Sequence, residues 1–525
     1  MTKLLACLAM LLLSITLSSQ HALGARDDGG KQKPAPAEQA ARPSRTEAEP
    51  HAPVVTQHAI TLNGQQLTYT ATAGYIPITD DSGKLQADIF YVAYTRPGTA
   101  AGAARPVTFA FNGGPGASSM WLHLGVGPKR VVLALDGTAL PNSTVLTDNE
   151  ATWLDFTDLV FVDPVGTGFS RAADGVDPKQ FYEVRSDIQV AGSFIRRYIT
   201  RYQRWLSPKF ILGESYGTTR AAGLVNRLQD VAGINVNGVI LVSCALDFQT
   251  FSFDPANDLA YALVLPSYAA TAWYHTKRKA TQPQVDLSDT LERAEKWAIS
   301  DYLVALAKGD TLSQPERNRV ALQIAQYIGL PQGEIERNRL RIGPARFGRR
   351  LLRDEELILG RLDGRVTSAA IPGSDYSDSD PAFFLVTGPL VDAINDYLER
   401  DLQYRSDLRY EFLSREANHS WKWLSGGQGY VYVADELAEA MSRDGRLRVF
   451  AGAGYFDLAT PYLAQKYTFD HMGLASQLRD HITFEAYPTG HQIYADPASA
   501  RKLKDDVAAF MQCTLSDAPC TALHP

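Results

Sequence analysis

The sequence predicts an α/β protein with a mostly parallel central sheet and a helical insertion before its last strands. Short, nearly continuous apolar runs recur along the chain, and this pattern is typical of parallel strands covered on both faces. A segment of helical periodicity separates two of these runs, as right-handed βαβ units require. From about residue 247 to 435 helical patterns continue without further runs of this kind. The 525 residues therefore fit one large domain with an insertion.

The composition limits the classes of function. Hydrophobic residues make up 45% of the chain and charged residues 21%, which is ordinary for a globular enzyme and too apolar for a disordered protein. The formal net charge of -7 disfavours nucleic acid as a partner, because nucleic-acid binding needs a basic surface. The sequence contains no His-x-x-x-His or Cys-x-x-Cys spacing and no cofactor fingerprint, so we expect neither a metal nor a cofactor.

The first segment has the pattern of an export signal. Lys3 precedes an apolar run at residues 4–17, which is shorter than the roughly 20 residues of a membrane-spanning helix. Residues 22–24 fit the small-x-small pattern of a signal peptidase site. We expect residues 1–24 to be cleaved, leaving an exported protein, periplasmic or secreted, without stable membrane insertion. An uncleaved anchor and a lipoprotein are the alternatives, although Cys7 precedes most of the apolar run instead of following it.

A linker and an interrupted core follow the signal. Residues 25–55 contain five prolines and no Phe, Trp or Tyr, so this segment is predicted to be a disordered stem. The first part of the core is predicted at residues 56–246, the helical cap at 247–435 and the second part of the core at 436–525.

The predicted elements follow from periodicity. Strands are predicted at residues 65–71, 85–95, 107–111, 158–162, 209–212 and 238–243. A turn at 80–83 separates the first two. A crossover helix is indicated by helical spacing at Val184, Ile188, Ala191, Ile195, Tyr198 and Tyr202. Insertion helices are predicted at 289–308, 316–328 and 389–400, and the last strands at 447–451 and 482–486.

Three cysteines remain after the predicted cleavage. Cys513 and Cys520 lie seven residues apart near the chain end, and in an oxidising compartment we expect them to form a disulfide that fixes the C-terminus. Cys244 lies in an apolar strand pattern and is interpreted as a buried small residue, although a catalytic thiol is the alternative.

The strongest motif is Gly-Glu-Ser-Tyr-Gly at residues 213–217. It follows the predicted strand 209–212 and precedes an apparent helix at 218–228, the context of a nucleophile elbow. The glycines permit a strained turn that raises the Ser215 hydroxyl above the end of the sheet. The alternative is a glycine-lined turn with a capping serine, and the strand–turn–helix context favours the nucleophile.

A serine nucleophile requires a base and a carboxylate that orients the base. In a fold of this kind both follow the serine along the chain, on loops after later strands. Asp457 ends a glycine-bearing loop after the strand at 447–451, and His491 follows Gly490 after the strand at 482–486. Of the ten histidines His491 alone has this placement, and a surface-loop histidine is the competing interpretation.

A glycine-rich turn, Asn-Gly-Gly-Pro-Gly, occupies residues 112–116 directly after the strand at 107–111. Such a turn can direct backbone N–H groups toward an oxyanion, and the second donor is expected to be the N–H of Tyr216, which follows the nucleophile. Phosphate binding is disfavoured because the Lys-Ser/Thr ending of a P-loop is absent.

Taken together, these motifs resemble the serine carboxypeptidase family, peptidase family S10, in an exported, bacterial-type member. The resemblance is carried, in order along the chain, by residues 112–119, 163–170, 213–217, the glycine loop of Asp457, and Gly490 with His491. It implies an α/β-hydrolase fold with a helical cap.

The resemblance also implies roles for individual residues, which fall into three groups. The catalytic triad would be Ser215, Asp457 and His491, the oxyanion donors Gly114 and Tyr216, and the ligands of the substrate's terminal carboxylate Asn112, Gly113 and Glu214. A glutamate that donates a hydrogen bond to a carboxylate must be protonated, so the resemblance implies a preference for acidic pH.

Two departures from the family pattern bear on function. Ala117 stands where the family has a cysteine. Gly125 and Val126 stand where the family carries a second glutamate, and the segment is one residue shorter. His123 and Lys129 are the nearby residues that could compensate for that glutamate.

We therefore expect a serine exopeptidase that releases C-terminal residues from peptide substrates through an acyl-enzyme on Ser215. The missing glutamate keeps open an alternative in which the same triad serves an esterase, an acyltransferase or another serine peptidase. A non-catalytic binding protein on a hydrolase scaffold is a third hypothesis. The sequence leaves the oligomeric state open.

Overall fold

The structure is a computed structural model that describes residues 52–97, 105–134, 138, 145–277, 286–371, 380–424 and 429–516. The predicted signal at 1–24, nearly all of the predicted stem at 25–55, and Cys520 lie outside the described residues. No helix in the described ranges is long and apolar enough to cross a membrane.

Fourteen strands occur in the described residues. They are β1 (Val54–Leu62), β2 (Gln65–Thr79), β3 (Leu85–Thr95), β4 (Val107–Phe111), β5 (Lys129–Val131), β6 (Leu146–Asp148), β7 (Asp158–Val162), β8 (Arg171–Ala172), β9 (Lys209–Glu214), β10 (Gly238–Val242), β11 (Leu357–Leu359), β12 (Thr367–Ala369), β13 (Arg448–Gly454) and β14 (Ile482–Tyr487).

The main sheet has the order β1-β2-β3-β7-β4-β9-β10-β13-β14, with β8 paired to β3. Six neighbouring strands of this sheet run parallel, namely β7, β4, β9, β10, β13 and β14. Strands β1, β2 and β3 add an antiparallel edge. The prediction of an α/β protein with a mostly parallel sheet is therefore confirmed.

The parallel strands are buried on both faces, which explains their continuous apolar sequences. In β9, Phe210 and Leu212 pack into one core cluster, whereas Ile211 packs into the other. In β10, Ile240 and Leu241 divide in the same way. Because side chains alternate across a strand, a sheet covered on both sides needs apolar residues at every position.

Fifteen α-helices accompany the sheet. They are α1 (Met120–Val126), α2 (Val184–Arg201), α3 (Tyr216–Asp230), α4 (Asp258–Lys277), α5 (Leu287–Trp297), α6 (Leu303–Lys308), α7 (Gln314–Ile328), α8 (Gln332–Arg337), α9 (Pro344–Arg350), α10 (Pro381–Asp396), α11 (Arg415–His419), α12 (Ala434–Arg443), α13 (Tyr462–Asp470), α14 (Ser476–Arg479) and α15 (Pro497–Ser516).

The helices cover both faces of the sheet. Helices α2, α3 and α12 contribute to one core cluster, and α1, α10 and α15 contribute to the other. Between β10 and β13 the described residues form mainly helices, and their strands there are the short antiparallel pair β11 and β12. Helices α4 to α9 share a third apolar cluster with α13. The predicted helix at 289–308 occurs as α5 and α6, joined by a π-helical turn at Ala298–Tyr302.

Several boundaries and elements differ from the prediction. Strand β1 begins at Val54, inside the predicted stem, because it pairs antiparallel with Ala73 of β2. Strand β2 continues to Thr79, well beyond the predicted end at residue 71. Helix α15 was not predicted, and it carries Cys513, which is disulfide-bonded. Cys244 is a buried free thiol whose pKa is raised well above its usual value by burial.

Candidate active site

Ser215 occupies a strained turn between β9 and α3. Its φ of 58° and ψ of -128° lie in a region that costs a non-glycine residue on the order of 1–3 kcal/mol. The turn is held because Ser215 N donates to Val242 O at 3.0 Å, and Thr218 N donates to Ser215 O at 2.9 Å. A side chain at Gly213 would overlap the carbonyl of Gly217, so only glycine permits this close approach. The sequence-predicted nucleophile is thus displayed at the carboxyl end of the sheet.

Asp457 and His491 are hydrogen-bonded to each other on two neighbouring loops. His491 Nδ1 lies 2.6 Å from Asp457 Oδ2, and Asp457 is fully buried. The carboxylate also accepts hydrogen bonds from Ala459 N at 2.7 Å and from Thr460 Oγ1 at 2.7 Å. These donors fix the carboxylate, which in turn orients the imidazole.

Two opposing effects set the proton affinity of His491. Burial lowers its pKa, whereas the charge and the hydrogen bond of Asp457 raise it. The raising effect is the larger one, so the pKa of His491 lies above the usual 6.5. The pair can therefore stabilise an imidazolium, as a general base requires once it has taken a proton.

The sheet brings the three loops together. Ser215, Asp457 and His491 follow β9, β13 and β14, whose carboxyl ends meet at the same edge of the sheet. Between them, Ser243 Oγ at the end of β10 donates to His491 O at 2.6 Å. No hydrogen bond joins the Ser215 hydroxyl to the imidazole among the described residues. Such contacts are often long in a substrate-free site and shorten when a substrate is in place.

The glycine-rich turn after β4 lies directly against the nucleophile. A Cβ on Gly113 would stand 2.5 Å from Tyr216 N and 2.9 Å from Ser215 Cβ, so the two backbones touch. Gly114 has a φ of 100°, which glycine alone adopts without strain. From behind, Arg220 Nη1 donates to Asn112 O at 2.8 Å. Gly114 and the Tyr216 N–H therefore lie on adjoining segments, as an oxyanion site needs.

Arg220 is itself fixed by a buried ion pair. Its Nε lies 2.8 Å from Asp187 Oδ2, and the guanidinium is 1% exposed. The hydroxyl of Tyr216 donates to the same carboxylate oxygen at 3.1 Å. Arg220 also lies over the rings of Phe111 and Tyr216, with centroid distances of 5.5 and 5.3 Å. This network connects the glycine-rich turn to the start of α3.

Asn112 and Glu214 form a buried pair beside the nucleophile. Asn112 Nδ2 donates to Glu214 Oε2 at 2.9 Å, and Leu122 N donates to Asn112 Oδ1 at 3.0 Å. Burial raises the pKa of Glu214 to about 7, against the lowering effects of His491 and of its hydrogen-bond donors. Below that pH Glu214 is mainly a neutral acid, which can donate a hydrogen bond.

Tyr494 completes this pair and was missed by sequence reasoning. Its hydroxyl donates a hydrogen bond to Glu214 Oε2. The two compensating candidates are engaged elsewhere, since His123 Nε2 lies 2.5 Å from Tyr94 OH and Lys129 pairs with Asp148. The available signal for Tyr494 was its spacing of three residues after His491.

The motif at 163–170 supports the glycine-rich segment. Asp163 Oδ1 accepts hydrogen bonds from Ser119 N at 2.8 Å and Ser119 Oγ at 2.7 Å. A side chain at Gly168 would overlap Asp163. Ala117, where the family pattern has cysteine, is buried and forms an isolated backbone bridge with Leu413. In the ranges described, no group of His, Cys, Asp or Glu side chains has the arrangement of a metal site.

Comparison with known proteins supports the resemblance. The family model for serine carboxypeptidase matches residues 62–286. The pheromone-processing carboxypeptidase KEX1 of Saccharomyces cerevisiae is 33% identical over 156 residues, which are 27% of this chain and 20% of that protein. By these matches the chain is similar to serine carboxypeptidases. Two further relatives match the chain. Serine carboxypeptidase-like 45 of Arabidopsis thaliana is 30% identical over 161 residues, covering 30% of this chain and 31% of that protein. The human retinoid-inducible serine carboxypeptidase is 34% identical over 122 residues, 23% of this chain and 24% of its own length.

The alignments with these relatives span only about a fifth to a third of their lengths. The residues that the family model matches contain Ser215 but end well before Asp457 and His491. The placement of those two residues at the site therefore rests on the geometry given above.

The structural likeness to known proteins covers more of the chain than the sequence matches do. The crystal structure of a prohormone-processing carboxypeptidase, Kex1Δp of Saccharomyces cerevisiae, superposes with a TM-score of 0.50 at 15% identity. The likeness covers 85% of this chain and 91% of that chain. At this identity the comparison establishes a shared fold, and the predicted α/β-hydrolase fold is confirmed.

Proposed function

We propose that the protein is a serine carboxypeptidase that releases C-terminal residues from peptides through an acyl-enzyme on Ser215. The observation that carries this proposal is the buried Asn112–Glu214 pair, which is joined directly to the nucleophile because Glu214 precedes Ser215 in the chain. A neutral carboxyl and an amide at this position suit recognition of a substrate's terminal carboxylate, which lies one residue beyond the attacked carbonyl.

The chemistry follows from the three loops at the sheet edge. His491 takes the proton of the Ser215 hydroxyl, and Ser215 Oγ attacks the last peptide carbonyl. Asp457 holds the imidazole and stabilises its positive charge through the 2.6 Å hydrogen bond. His491 then returns the proton to the leaving amino group, and water hydrolyses the acyl-enzyme by the same route.

The negative charge on the tetrahedral intermediate requires backbone donors. Gly114 N–H and Tyr216 N–H are the proposed pair, supported by the contact of the glycine-rich turn with the Ser215–Tyr216 peptide. Tyr216 N also begins α3, so the helix dipole adds favourable charge at this point. Gly113 lies between these donors and Asn112, where its backbone can contact the terminal carboxylate.

Ser215→Ala tests the nucleophile. We expect this variant to fold normally and to lose peptidase activity and fluorophosphonate labelling. The control is Ser118→Ala, at a buried serine of the neighbouring segment. This variant should keep both the peptidase activity and the labelling. Retained turnover in Ser215→Ala would refute the acyl-enzyme.

The missing second glutamate is the observation that favours a second candidate function, an esterase or acyltransferase that uses the same triad. A blocked dipeptide, its amide and its ester distinguish the two. A carboxypeptidase should prefer the free acid by at least about tenfold in kcat/KM, since a charge-assisted hydrogen bond contributes roughly 1.5–3 kcal/mol. Equal kcat/KM for acid and amide, with faster ester cleavage, would establish the esterase.

We also propose that the chain is exported to the periplasm or secreted, with residues 1–24 removed. Cys513 is disulfide-bonded, which is typical of proteins in oxidising compartments, and Cys520 is its proposed partner. N-terminal sequencing of the recovered protein checks this, because a chain that still begins at Met1 would contradict cleavage.

The proposed cap, residues 247–435, would form one wall of the substrate site. Its segment at 361–365 already contacts the loops of both triad partners, since His491 N donates to Leu362 O at 2.7 Å and Leu458 N donates to Arg361 O at 3.0 Å.

A further inference from the structure

Tyr494 is buried between the two halves of the proposed carboxylate site. A side chain built on Gly125 of α1 would overlap the Tyr494 ring. The ring therefore fills the space that any residue at position 125 would need, a glutamate included. At its other end the Tyr494 hydroxyl donates to Glu214 Oε2. The Tyr494 hydroxyl thus reaches Glu214 from the side of Gly125, a position of α1 that has no side chain.

Two donors converge on one oxygen of Glu214. Asn112 Nδ2 donates to Oε2 at 2.9 Å, and Tyr494 OH donates to the same oxygen. When Glu214 is neutral, the oxygen that accepts both hydrogen bonds is the carbonyl oxygen, because the hydroxyl oxygen is the donor. The acidic proton of neutral Glu214 is therefore on Oε1, which has no hydrogen-bond partner among the described residues.

This proton is free to be donated to a ligand, and a carboxylate is the strongest acceptor that a peptide end offers. Without the Tyr494 hydroxyl, Asn112 alone would hold the carboxyl, which could then rotate and direct its proton away from the substrate.

We propose that Tyr494 is a positioning residue that, with Asn112, orients the Glu214 carboxyl so that its proton points at the terminal carboxylate of a peptide. This inference rests on the proposed carboxypeptidase function. It assigns the second anchoring group of the site to the segment after His491, in place of a side chain from α1.

The test is Tyr494→Phe, which keeps the ring against Gly125 and removes only the hydroxyl. KM for a blocked dipeptide acid at pH 5 should rise about tenfold, while kcat for the acid and kcat/KM for the ester remain within twofold. The tyrosine hydroxyl also lowers the pKa of Glu214. Its removal should therefore move the alkaline limb of kcat/KM for the acid to higher pH, a shift that a purely structural role would not produce.

Tyr302→Phe is the matched control. Tyr302 is also buried, and its hydroxyl donates to Leu340 O at 2.5 Å inside the apolar cluster of α4 to α9. Its loss should leave KM, kcat and the pH profile unchanged.

The outcomes separate this inference from the proposed function. A wild-type enzyme that prefers the acid, together with an unchanged KM and pH profile in Tyr494→Phe, would overturn the positioning role alone. An equal loss on acid and ester substrates would also overturn it, because it would indicate general damage. A wild-type enzyme with no preference for the acid would refute the carboxypeptidase proposal and this inference with it.

Discussion

Glu214 and Ser215 are adjacent in the chain, yet their environments are opposite. Glu214 ends β9 with 4% of its surface exposed, whereas Ser215 turns outward through a positive φ. The same turn that displays the hydroxyl therefore buries a carboxyl beside it, and burial raises the pKa of that carboxyl to about 7. Under the proposed function, attack by Ser215 and recognition of a chain end by Glu214 would be linked by one peptide bond.

The Asp457–His491 pair predicts the effect of Asp457→Asn. An amide in place of the carboxylate stabilises the wrong tautomer of the imidazole and removes the charge that balances the imidazolium. We expect kcat to fall by about 10³–10⁴-fold with little change in KM, as in the general serine-triad template. Asp470→Asn, at an exposed position of α13, should leave kcat unchanged. A loss of less than tenfold in Asp457→Asn would argue against the proposed role.

The two perturbed groups predict different pH profiles for acid and ester substrates. The base form of His491 is needed for both, and its raised pKa places the acid limb above the usual value for histidine. Only the acid substrate needs neutral Glu214, which is lost as pH rises through about 7. We expect a bell-shaped kcat/KM for a blocked dipeptide acid and a plateau for its ester. Glu214→Gln should remove the alkaline limb for the acid, and an alkaline limb shared by both substrates would contradict this assignment.

Much of this site could be predicted because its sequence signals are local. The strands at Val107–Phe111 and Asp158–Val162 have the predicted bounds, since each is a short apolar run with polar or proline residues beside it. The placement of Ser215, Asp457 and His491 after three strands of the parallel part of the sheet, in this order, follows from chain order alone. Parallel topology then carries all three residues to one edge of the sheet.

The parts that sequence reasoning missed depend on tertiary contacts or on signals that were overlooked. Nothing in the sequence near Tyr494 indicates that its ring fills the space beside Gly125. In the sequence Arg220 has no feature that distinguishes it from other helix residues. Its buried ion pair with Asp187 is visible only in the structure. Helix α15 is different, because its apolar residues recur at helical spacing after a capping Asp496, and the signal was present.

The buried carboxyl also predicts a pH-dependent stability. The folded pKa of Glu214, about 7, lies above the value of about 4.5 for an exposed glutamate, so the folded state binds this proton more tightly. Its stabilising effect is complete below pH 4.5 and is lost as pH rises through 7, by roughly 3 kcal/mol in total.

Glu214→Gln mimics the neutral acid at every pH. We expect its free energy of unfolding to exceed that of the wild type by about 1–3 kcal/mol at pH 8 and to match it near pH 4.5. Urea unfolding at the two pH values measures this difference. A variant that is less stable at pH 8 would mean that Glu214 is ionised in the folded state without cost.

The Asp187–Arg220 pair predicts that Arg220→Ala strongly lowers stability and that a second substitution, at Asp187, restores a part of it. Arg220→Ala would leave Asp187 buried without its partner and would remove the donor to Asn112 O at 2.8 Å. Breaking such a pair costs about 3–5 kcal/mol. Adding Asp187→Asn removes the buried charge, so the double variant should recover a part of that loss, of the order of 1–3 kcal/mol. Activity should not recover with stability, because the glycine-rich turn still lacks its support from Arg220. Urea unfolding and kcat/KM, measured on the single and double variants, check both expectations, and a fully active double variant would show that Arg220 does not position this turn.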